Sequence, residues 1–120
     1  MALKKAGRRI VIRENHMFSK VFKKGKYAAN PFVTVYALPN YNKRAATRFG
    51  VSASAKLGGA PQRNRAKRVV REAYARLCGR LKPGMLLVIS ARAPCFDRAN
   101  KMRQVEAALR NAFSRLGLFE

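Results

Sequence analysis

The sequence predicts an α+β fold in which helices pack on a small mixed sheet. Two observations predict this class. Short apolar or alternating stretches, rich in β-branched and aromatic residues, indicate strands, and longer stretches with apolar residues every three or four positions indicate amphipathic helices. These stretches follow the order helix, two or three strands, helix, strand, helix, which is typical of an α+β domain.

The N-terminal part of the chain predicts an arm followed by a short helix. Residues 1–13 are basic and predict a flexible arm, which is equally well a disordered tail or a segment that contacts RNA. Asn15 can cap a helix that runs to about Lys24. Gly25 can then end this helix, because glycine is favoured just beyond a helix C-terminus.

The following segment predicts strands joined by a loop. Residues 32–38 are rich in Val, Thr, Tyr and Phe, and residues 47–54 alternate apolar with small or polar side chains. Residues 39–46 contain Pro, Asn and basic residues and predict a hairpin loop. A further short strand around residues 26–29 is possible, and the sequence leaves this open.

The second half of the chain predicts a helix, a strand and a final helix. Pro61 is acceptable in the first turn of a helix that runs to about residue 78, where Gly79 can end it. Residues 85–93 are the most apolar segment and predict a strand buried on both faces. Asp97 can cap the last helix. Its apolar positions follow helical spacing and are Met102, Val105, Leu109, Ala112, Phe113 and Leu116.

Charge is the most unusual bulk property of the chain. Its 120 residues fit a single domain spanning residues 1–120, and 48% hydrophobic residues allow a core. There are 27 Lys and Arg residues against 5 Asp and Glu, a formal net charge of +22. Such a chain repels itself unless an anionic partner screens it. Nucleic acid is the first partner to expect, and a membrane surface is the lesser alternative.

No secretion signal or transmembrane segment is expected. No long apolar region follows the basic N-terminus, and the longest aliphatic run, residues 85–89, is too short to cross a bilayer. Cys78 and Cys95 belong to no Cys-x-x-Cys pair, which argues against a zinc site. Buried thiols are favoured, while a disulfide between the two stays open. We therefore predict a cytoplasmic protein.

The chain lacks the residues that a protein-based nuclease requires. Its five acids are scattered over separate predicted elements, whereas a metal-dependent nuclease needs clustered carboxylates. His16 is the only histidine, which excludes a two-histidine acid–base pair. We predict no catalytic residue and no metal ligand in this chain. We predict that the chain binds and positions another molecule, and that any reactive centre belongs to that molecule.

The strongest functional signal lies in residues 63–72, at the start of the predicted basic helix. Its apolar positions should face the core, and they are Ala66, Val69, Val70, Ala73, Tyr74, Leu77 and Leu81. The polar residues are Arg63, Asn64, Arg65, Lys67, Arg68 and Arg71. Arginine binds phosphates bidentately, and Glu72 is the only acid nearby. A solvated charged surface is the simpler alternative, but this density of cations favours contact with nucleic acid.

A second candidate surface is aromatic. Phe18 and Phe22 are one helical turn apart, and Tyr36 lies in the following predicted strand. Unpaired bases stack on such rings. From spacing alone, core packing explains the two phenylalanines better than a binding surface does.

Several segments resemble, in order, the protein subunit of bacterial ribonuclease P. Residues 50–56, then Gly58 and residues 63–72 with Arg63-Asn64-Arg65, are similar to the signature region of that family. Residues 18–25 resemble its first helix and the glycine that ends it, and residues 87–92 resemble its last strand. The similarity covers most of residues 10–116.

This resemblance implies the element order α-β-β-β-α-β-α, with a left-handed β-α-β crossover around the basic helix. It also implies a ribonucleoprotein whose RNA subunit removes the 5′ leader from precursor tRNA. Mg²⁺ would be held mainly by the RNA subunit and the substrate. The expected partners are ribonuclease P RNA and precursor tRNA, with no membrane and no further protein required.

The resemblance assigns two groups of residues to RNA. The residues expected to face the catalytic RNA are Lys56, Arg63, Asn64, Arg65, Lys67, Arg68 and Arg71. The residues expected to line the leader-binding cleft are Phe18, Phe22 and Tyr36. A ribosomal or other structural RNA-binding protein is the main alternative, and a protein-only nuclease or a DNA-compacting protein is a weaker one.

Overall fold

A computed structural model of the protein describes residues 10–11, 15–40, 44–54, 57–92 and 101–120. Its elements are β1 (Ile10–Val11), α1 (Asn15–Lys24), β2 (Lys26–Ala29), β3 (Val33–Pro39), β4 (Arg48–Ala53), α2 (Ala60–Leu77), β5 (Met85–Ala91) and α3 (Lys101–Arg115). One 3-10 turn (Cys78–Arg80) follows α2. The α+β prediction is confirmed, and the strand that the sequence left open is present as β2.

The strands form one mixed sheet in the order β1-β4-β5-β3-β2. β3 pairs antiparallel with both β2 and β5, whereas β4 pairs parallel with both β5 and β1. β4 and β5 are therefore parallel neighbours joined through α2, which makes a β-α-β unit. The left-handed sense of this crossover stays a prediction of the resemblance.

The start of the chain differs from the prediction of an arm over residues 1–13. Ile10 and Val11 form a short strand that pairs with Arg48 and Phe49 of β4. An apolar pair of residues can add to an open strand edge, because the edge presents unpaired backbone donors and acceptors. The other residues of the predicted arm lie outside the described residues.

Helices cover both faces of the sheet. Side chains alternate between faces along each strand, so Val33 and Val35 of β3 point into the larger core, together with Leu87 and Ile89 of β5. α2 and α3 close that core. On the opposite face, α1 covers Val88 and its neighbours in a smaller cluster.

The turn after α1 determines where this helix lies. Gly25 makes a backbone contact that no other residue allows, since a Cβ there would lie 2.6 Å from the carbonyl oxygen of Val21 and 2.9 Å from that of Ala37. The chain can therefore pass directly from α1 into β2. As a result, α1 lies against β3 and β5 rather than beyond the sheet edge.

The helix and strand bounds agree closely with the sequence predictions. α2 begins at Ala60 with Pro61 in its first turn, and α3 is followed by Gly117, whose φ of 69° suits glycine. Cys78 is buried, as predicted, while Cys95 and the proposed cap Asp97 lie outside the described residues. Within the described residues, no helix is long and apolar enough to span a bilayer.

Candidate nucleic-acid interface

The apolar stripe of α2 orients the whole helix on the sheet. The stripe residues that are buried in the core are Ala66, Val70, Ala73, Tyr74 and Leu77. Val69 is half-buried against the same core, and Leu81 is buried just beyond the 3-10 turn. The predicted stripe is therefore confirmed. Because a helix buries only one side of its circumference, the other side of α2 faces solvent.

The solvent side carries most of the residues predicted to contact RNA. Asn64, Arg65, Arg68 and Arg71 are exposed, and Lys67 is half-buried. Arg63 is also half-buried, and its Nε is enclosed without a hydrogen-bond partner among the described residues. These six residues are called the cationic face of α2 below. Lys56, the remaining predicted RNA contact, lies outside the described residues.

The cations of this face form no ion pairs with the described part of the protein. Across the part of the chain that the structure describes, none of the five Arg and Lys residues of the cationic face forms an ion pair. Further along α2 the situation changes, because Arg76 forms an ion pair with Glu106 of α3 at 3.3 Å. Arg110, also on α3, pairs with the same carboxylate at 3.2 Å. Unpaired cations on one helix face are suited to a polyanion, because binding releases the polyanion's counterions.

The shape of the cationic face also suits an anionic ligand. Of the described residues, those that line a depression of about 470 Å³ here are Asn64, Lys67, Arg68, Arg71 and Glu72. α2 has no acid in its first turn, and its N-cap residue, Gly59, makes no side-chain capping bond. The partial positive charge of the helix N-terminus therefore adds to that of the side chains.

On the other side of the sheet, three aromatic rings form a continuous surface. The rings of Phe22 and Tyr36 meet edge to face, with centroids 4.7 Å apart. Tyr27 lies beside Tyr36 at 5.9 Å, with the two rings inclined by 36°. Phe22 is 40% exposed and Tyr27 is 66% exposed. We call these three residues the aromatic array.

The structure separates Phe18 from the other two residues of the predicted cleft. Phe22 and Tyr36 are in direct contact, whereas Phe18 is half-buried against the small core with Val21 and Val88. Its ring packs on Gly50 of β4, where a Cβ would lie 2.9 Å from Phe18 Cε1. Phe18 thus holds α1 on the sheet and forms the inner end of this surface.

Tyr27 is absent from the cleft that the sequence predicts. This residue lies in β2, the strand that the sequence left open, directly opposite Tyr36 in the antiparallel register. Opposed residues of an antiparallel pair lie on the same face of a sheet. In the sequence, Tyr27 is only a tyrosine in a segment that could form a strand. The strand register is what shows that its ring lies beside those of Tyr36 and Phe22.

Hydroxyl groups continue the surface across the sheet. Register places Thr34 of β3 opposite Ser90 of β5, and Ser90 opposite Ser52 of β4. All three residues are half-buried, and they lie one row away from Tyr36 and Val88 on the same face. Hydroxyls both donate and accept hydrogen bonds, so this row can meet the phosphates and 2′-hydroxyls of a single strand.

The two surfaces lie on opposite sides of the sheet, because α1 packs on one face and α2 on the other. The chain can therefore contact two nucleic-acid segments simultaneously. Within the described ranges, no three His, Cys, Asp or Glu residues come together as metal ligands would. Glu106 is engaged by two arginines.

Comparison with known proteins adds independent findings. A family model described as Ribonuclease P matches residues 7–117 of the chain. The ribonuclease P protein component of Clostridium acetobutylicum is 35% identical over 107 residues, which span 89% of this chain and 88% of that protein. The component of Bacillus cereus is 38% identical over 112 residues, with 89% and 90% covered.

Solved structures agree with these relatives. The ribonuclease P protein of Staphylococcus aureus superposes with a TM-score of 0.76 at 30% identity, covering 94% of this chain and 100% of that one. The ribonuclease P protein of Thermotoga maritima superposes with a TM-score of 0.63 at 27% identity, covering 90% of this chain and 94% of that one. The residues matched by the family model, 7–117, include those that form both surfaces described above.

Proposed function

The chain belongs to the bacterial ribonuclease P protein family and is thus a component of an endoribonuclease, in which we propose that it acts as the RNA-binding subunit. The cationic face of α2 binds the catalytic RNA. Phe22 and Tyr36 of the aromatic array, with Phe18 at its inner end, bind the single-stranded 5′ leader of precursor tRNA. The protein thereby assists removal of that leader to give the mature 5′ end of the tRNA.

In this proposal the RNA subunit carries out the hydrolysis. We assign Mg²⁺ to sites formed mainly by that RNA and the substrate, because the described acids of this chain do not cluster. The contribution of the protein is electrostatic and positional. Arginine and lysine neutralise phosphates at the RNA surface, which lowers the Mg²⁺ concentration that folded RNA requires. Such a role belongs to the cytoplasm, and we expect it to need no other protein.

One observation carries the proposal: the chain has two chemically different surfaces on opposite sides of one sheet. Unpaired cations suit the dense phosphates of a folded RNA, whose bases are already paired. Exposed rings suit unpaired bases, which structured RNA offers mainly in loops and single-stranded ends. A protein that positions a single-stranded leader against a structured ribozyme requires both surfaces.

The direct test is single-turnover cleavage of precursor tRNA by a bacterial ribonuclease P RNA at low Mg²⁺. The reaction is run with the RNA alone, with the protein alone and with both. We expect the protein to accelerate cleavage only when the RNA is present. Cleavage by the protein alone would show that the reactive centre lies in this chain, and an absence of stimulation would favour a structural RNA-binding protein.

Variants can then assign each surface to its RNA. Arg65→Ala and Arg68→Ala should weaken binding of the RNA subunit, whereas Phe22→Ala should weaken binding of precursor tRNA by the assembled enzyme. Arg103→Ala is a matched control, because it removes one exposed cation from α3 instead of α2. Equal weakening by Arg103→Ala and Arg68→Ala would mean that net charge, rather than the cationic face, determines RNA binding.

A further inference from the structure

Tyr27 is the most exposed large apolar side chain among the described residues. Its ring is 66% exposed, although it belongs to a strand and contacts Tyr36 on one side. β2 is the edge strand of the sheet, so in the part of the chain that the structure describes no strand flanks Tyr27 on its outer side. Tyr27 is therefore the last ring of the aromatic array, and its outer side is exposed.

We propose that the ring of Tyr27 stacks on one additional unpaired base of the RNA leader. The affinity for precursor tRNA then depends on one leader nucleotide beyond those that contact Phe22 and Tyr36. This inference rests on the proposed function, because it assumes that a single strand crosses the aromatic array. It assigns a binding role to a residue of this chain that neither the predicted cleft nor the cationic face includes.

The ring geometry determines where the base lies. A base inserted between two rings needs about 7 Å between their centres, twice the roughly 3.5 Å contact distance. The centroids of Tyr27 and Tyr36 are 5.9 Å apart, so no base fits between them. The base must therefore stack on the outer side of Tyr27, and Tyr36 supports the ring from behind.

The charge around Tyr27 favours a nucleotide as the occupant. Lys23, in the last turn of α1, is exposed and directly follows Phe22 of the aromatic array. Lys26 is also exposed, but it precedes Tyr27 in β2 and therefore points to the opposite face of the sheet. A nucleotide offers both a base for the ring and a phosphate for a cation such as Lys23. A membrane surface would bind lysines without stacking on one tyrosine, and its binding would be insensitive to bases.

The experiment measures the affinity of the assembled enzyme for precursor tRNAs whose leaders increase by single nucleotides. Wild-type affinity should rise at the leader length that reaches Tyr27. In Tyr27→Ala this last increase should disappear, a loss of about tenfold, or roughly 1.4 kcal/mol. Tyr27→Phe keeps the ring and should retain the increase. Thermal unfolding of each variant shows whether the fold is intact.

An abasic leader nucleotide provides the matching change on the RNA. In the wild type, an abasic residue at the responsive position should reduce affinity to the Tyr27→Ala level. In Tyr27→Ala the same residue should have no further effect, because the ring and the base form one interaction. A full response to leader length in Tyr27→Ala would overturn the assignment.

The outcomes also distinguish this inference from the proposed function. If Phe22→Ala abolishes the response to leader length and Tyr27→Ala leaves it unchanged, only the role of Tyr27 is wrong. If the wild type shows no response to leader length at all, leader binding by the aromatic array is wrong as well.

Discussion

The ring of Phe18 lies directly on Gly50, joining α1 to the centre of the sheet. A Cβ at residue 50 would lie 2.9 Å from Phe18 Cε1, closer than such contacts normally allow. Phe22 is one turn further along α1 and meets Tyr36 at 4.7 Å. The absence of a side chain at Gly50 therefore determines how close α1 can approach, and with it the position of Phe22.

Gly50→Ala tests this contact. The added methyl group should displace the Phe18 ring and lower the free energy of unfolding by about 1–3 kcal/mol, the usual cost of overpacking. Affinity for precursor tRNA should fall too, because α1 carries Phe22. Chemical denaturation and substrate titration measure the two effects. Gly79→Ala is the control, since a Cβ there meets nothing within 4 Å.

A second substitution shows whether Phe18 is the cause. In Phe18→Leu the ring is absent, so adding Gly50→Ala should cost less than it does in the wild type. If the two substitutions have additive effects on the free energy of unfolding, the Phe18–Gly50 contact does not position α1.

Tyr74 has a buried hydroxyl group that lacks a partner among the described residues. Its ring stacks on Phe49 at 4.0 Å and meets Phe113 edge to face. Tyr74→Phe keeps both ring contacts and removes an unpaired polar atom, so we expect unchanged stability or a gain of roughly 1 kcal/mol. Tyr74→Ala should cost about 3–5 kcal/mol, because it leaves a cavity. A clear loss of stability in Tyr74→Phe, measured by urea denaturation, would mean that the hydroxyl is hydrogen-bonded.

The same residue predicts a sensitivity to alkaline pH. Burial raises the pKa of Tyr74 far above its ordinary value of 10.0, and Cys78 adds to the shift. Below pH 10 the Tyr74 hydroxyl is protonated in both the folded and the unfolded state, so its ionisation does not lower the free energy of unfolding. Above pH 10 the unfolded state ionises first, so stability falls by up to about 1.4 kcal/mol per pH unit. Tyr74→Phe should lack this component, whereas Tyr27→Phe, which alters an exposed tyrosine, should retain it.

Arg68 should contribute to the salt dependence of RNA binding. If its guanidinium contacts a phosphate, Arg68→Ala should reduce the slope of log affinity against log salt concentration by about one. Arg76→Ala is a matched change on the same helix, but Arg76 already pairs with Glu106 at 3.3 Å. We therefore expect a smaller change of slope for Arg76→Ala. Filter binding or fluorescence titration at several salt concentrations measures both, and equal slopes would contradict a specific phosphate contact.

Asn30 links the β2–β3 turn to α3. Its Oδ1 accepts hydrogen bonds from the backbone N–H groups of Phe32 and Val33, and its Nδ2 donates to the carbonyl oxygen of Ala108, each at 3.0 Å. Asn30→Ala should lower the free energy of unfolding by roughly 2–3 kcal/mol, because partly buried backbone groups lose their partners. Asn30→Asp keeps the acceptor and should cost less. If both variants unfold at the same denaturant concentration, the turn contributes little through Oδ1.

Local patterns in the sequence determined the helices, the strands and the polarity of α2. Helix periodicity depends on residues three or four apart, so the buried stripe of α2 and the exposure of Arg68 follow from nearby residues. The composition likewise indicates a polyanionic partner, because it depends only on residue counts. The glycines after α1 and α3 are local stop signals of the same kind.

Only the tertiary structure decided which strands are neighbours and in what register. Tyr27 faces Tyr36, and Ile10 pairs with Arg48, through pairings between separate segments that no local pattern specifies. The contact of Phe18 with Gly50 joins a helix to a strand more than thirty residues away. A strand's side-chain period of two leaves its partner and register undetermined until the sheet has formed. For that reason the aromatic array, unlike the cationic face, could be recognised in full only from the folded chain.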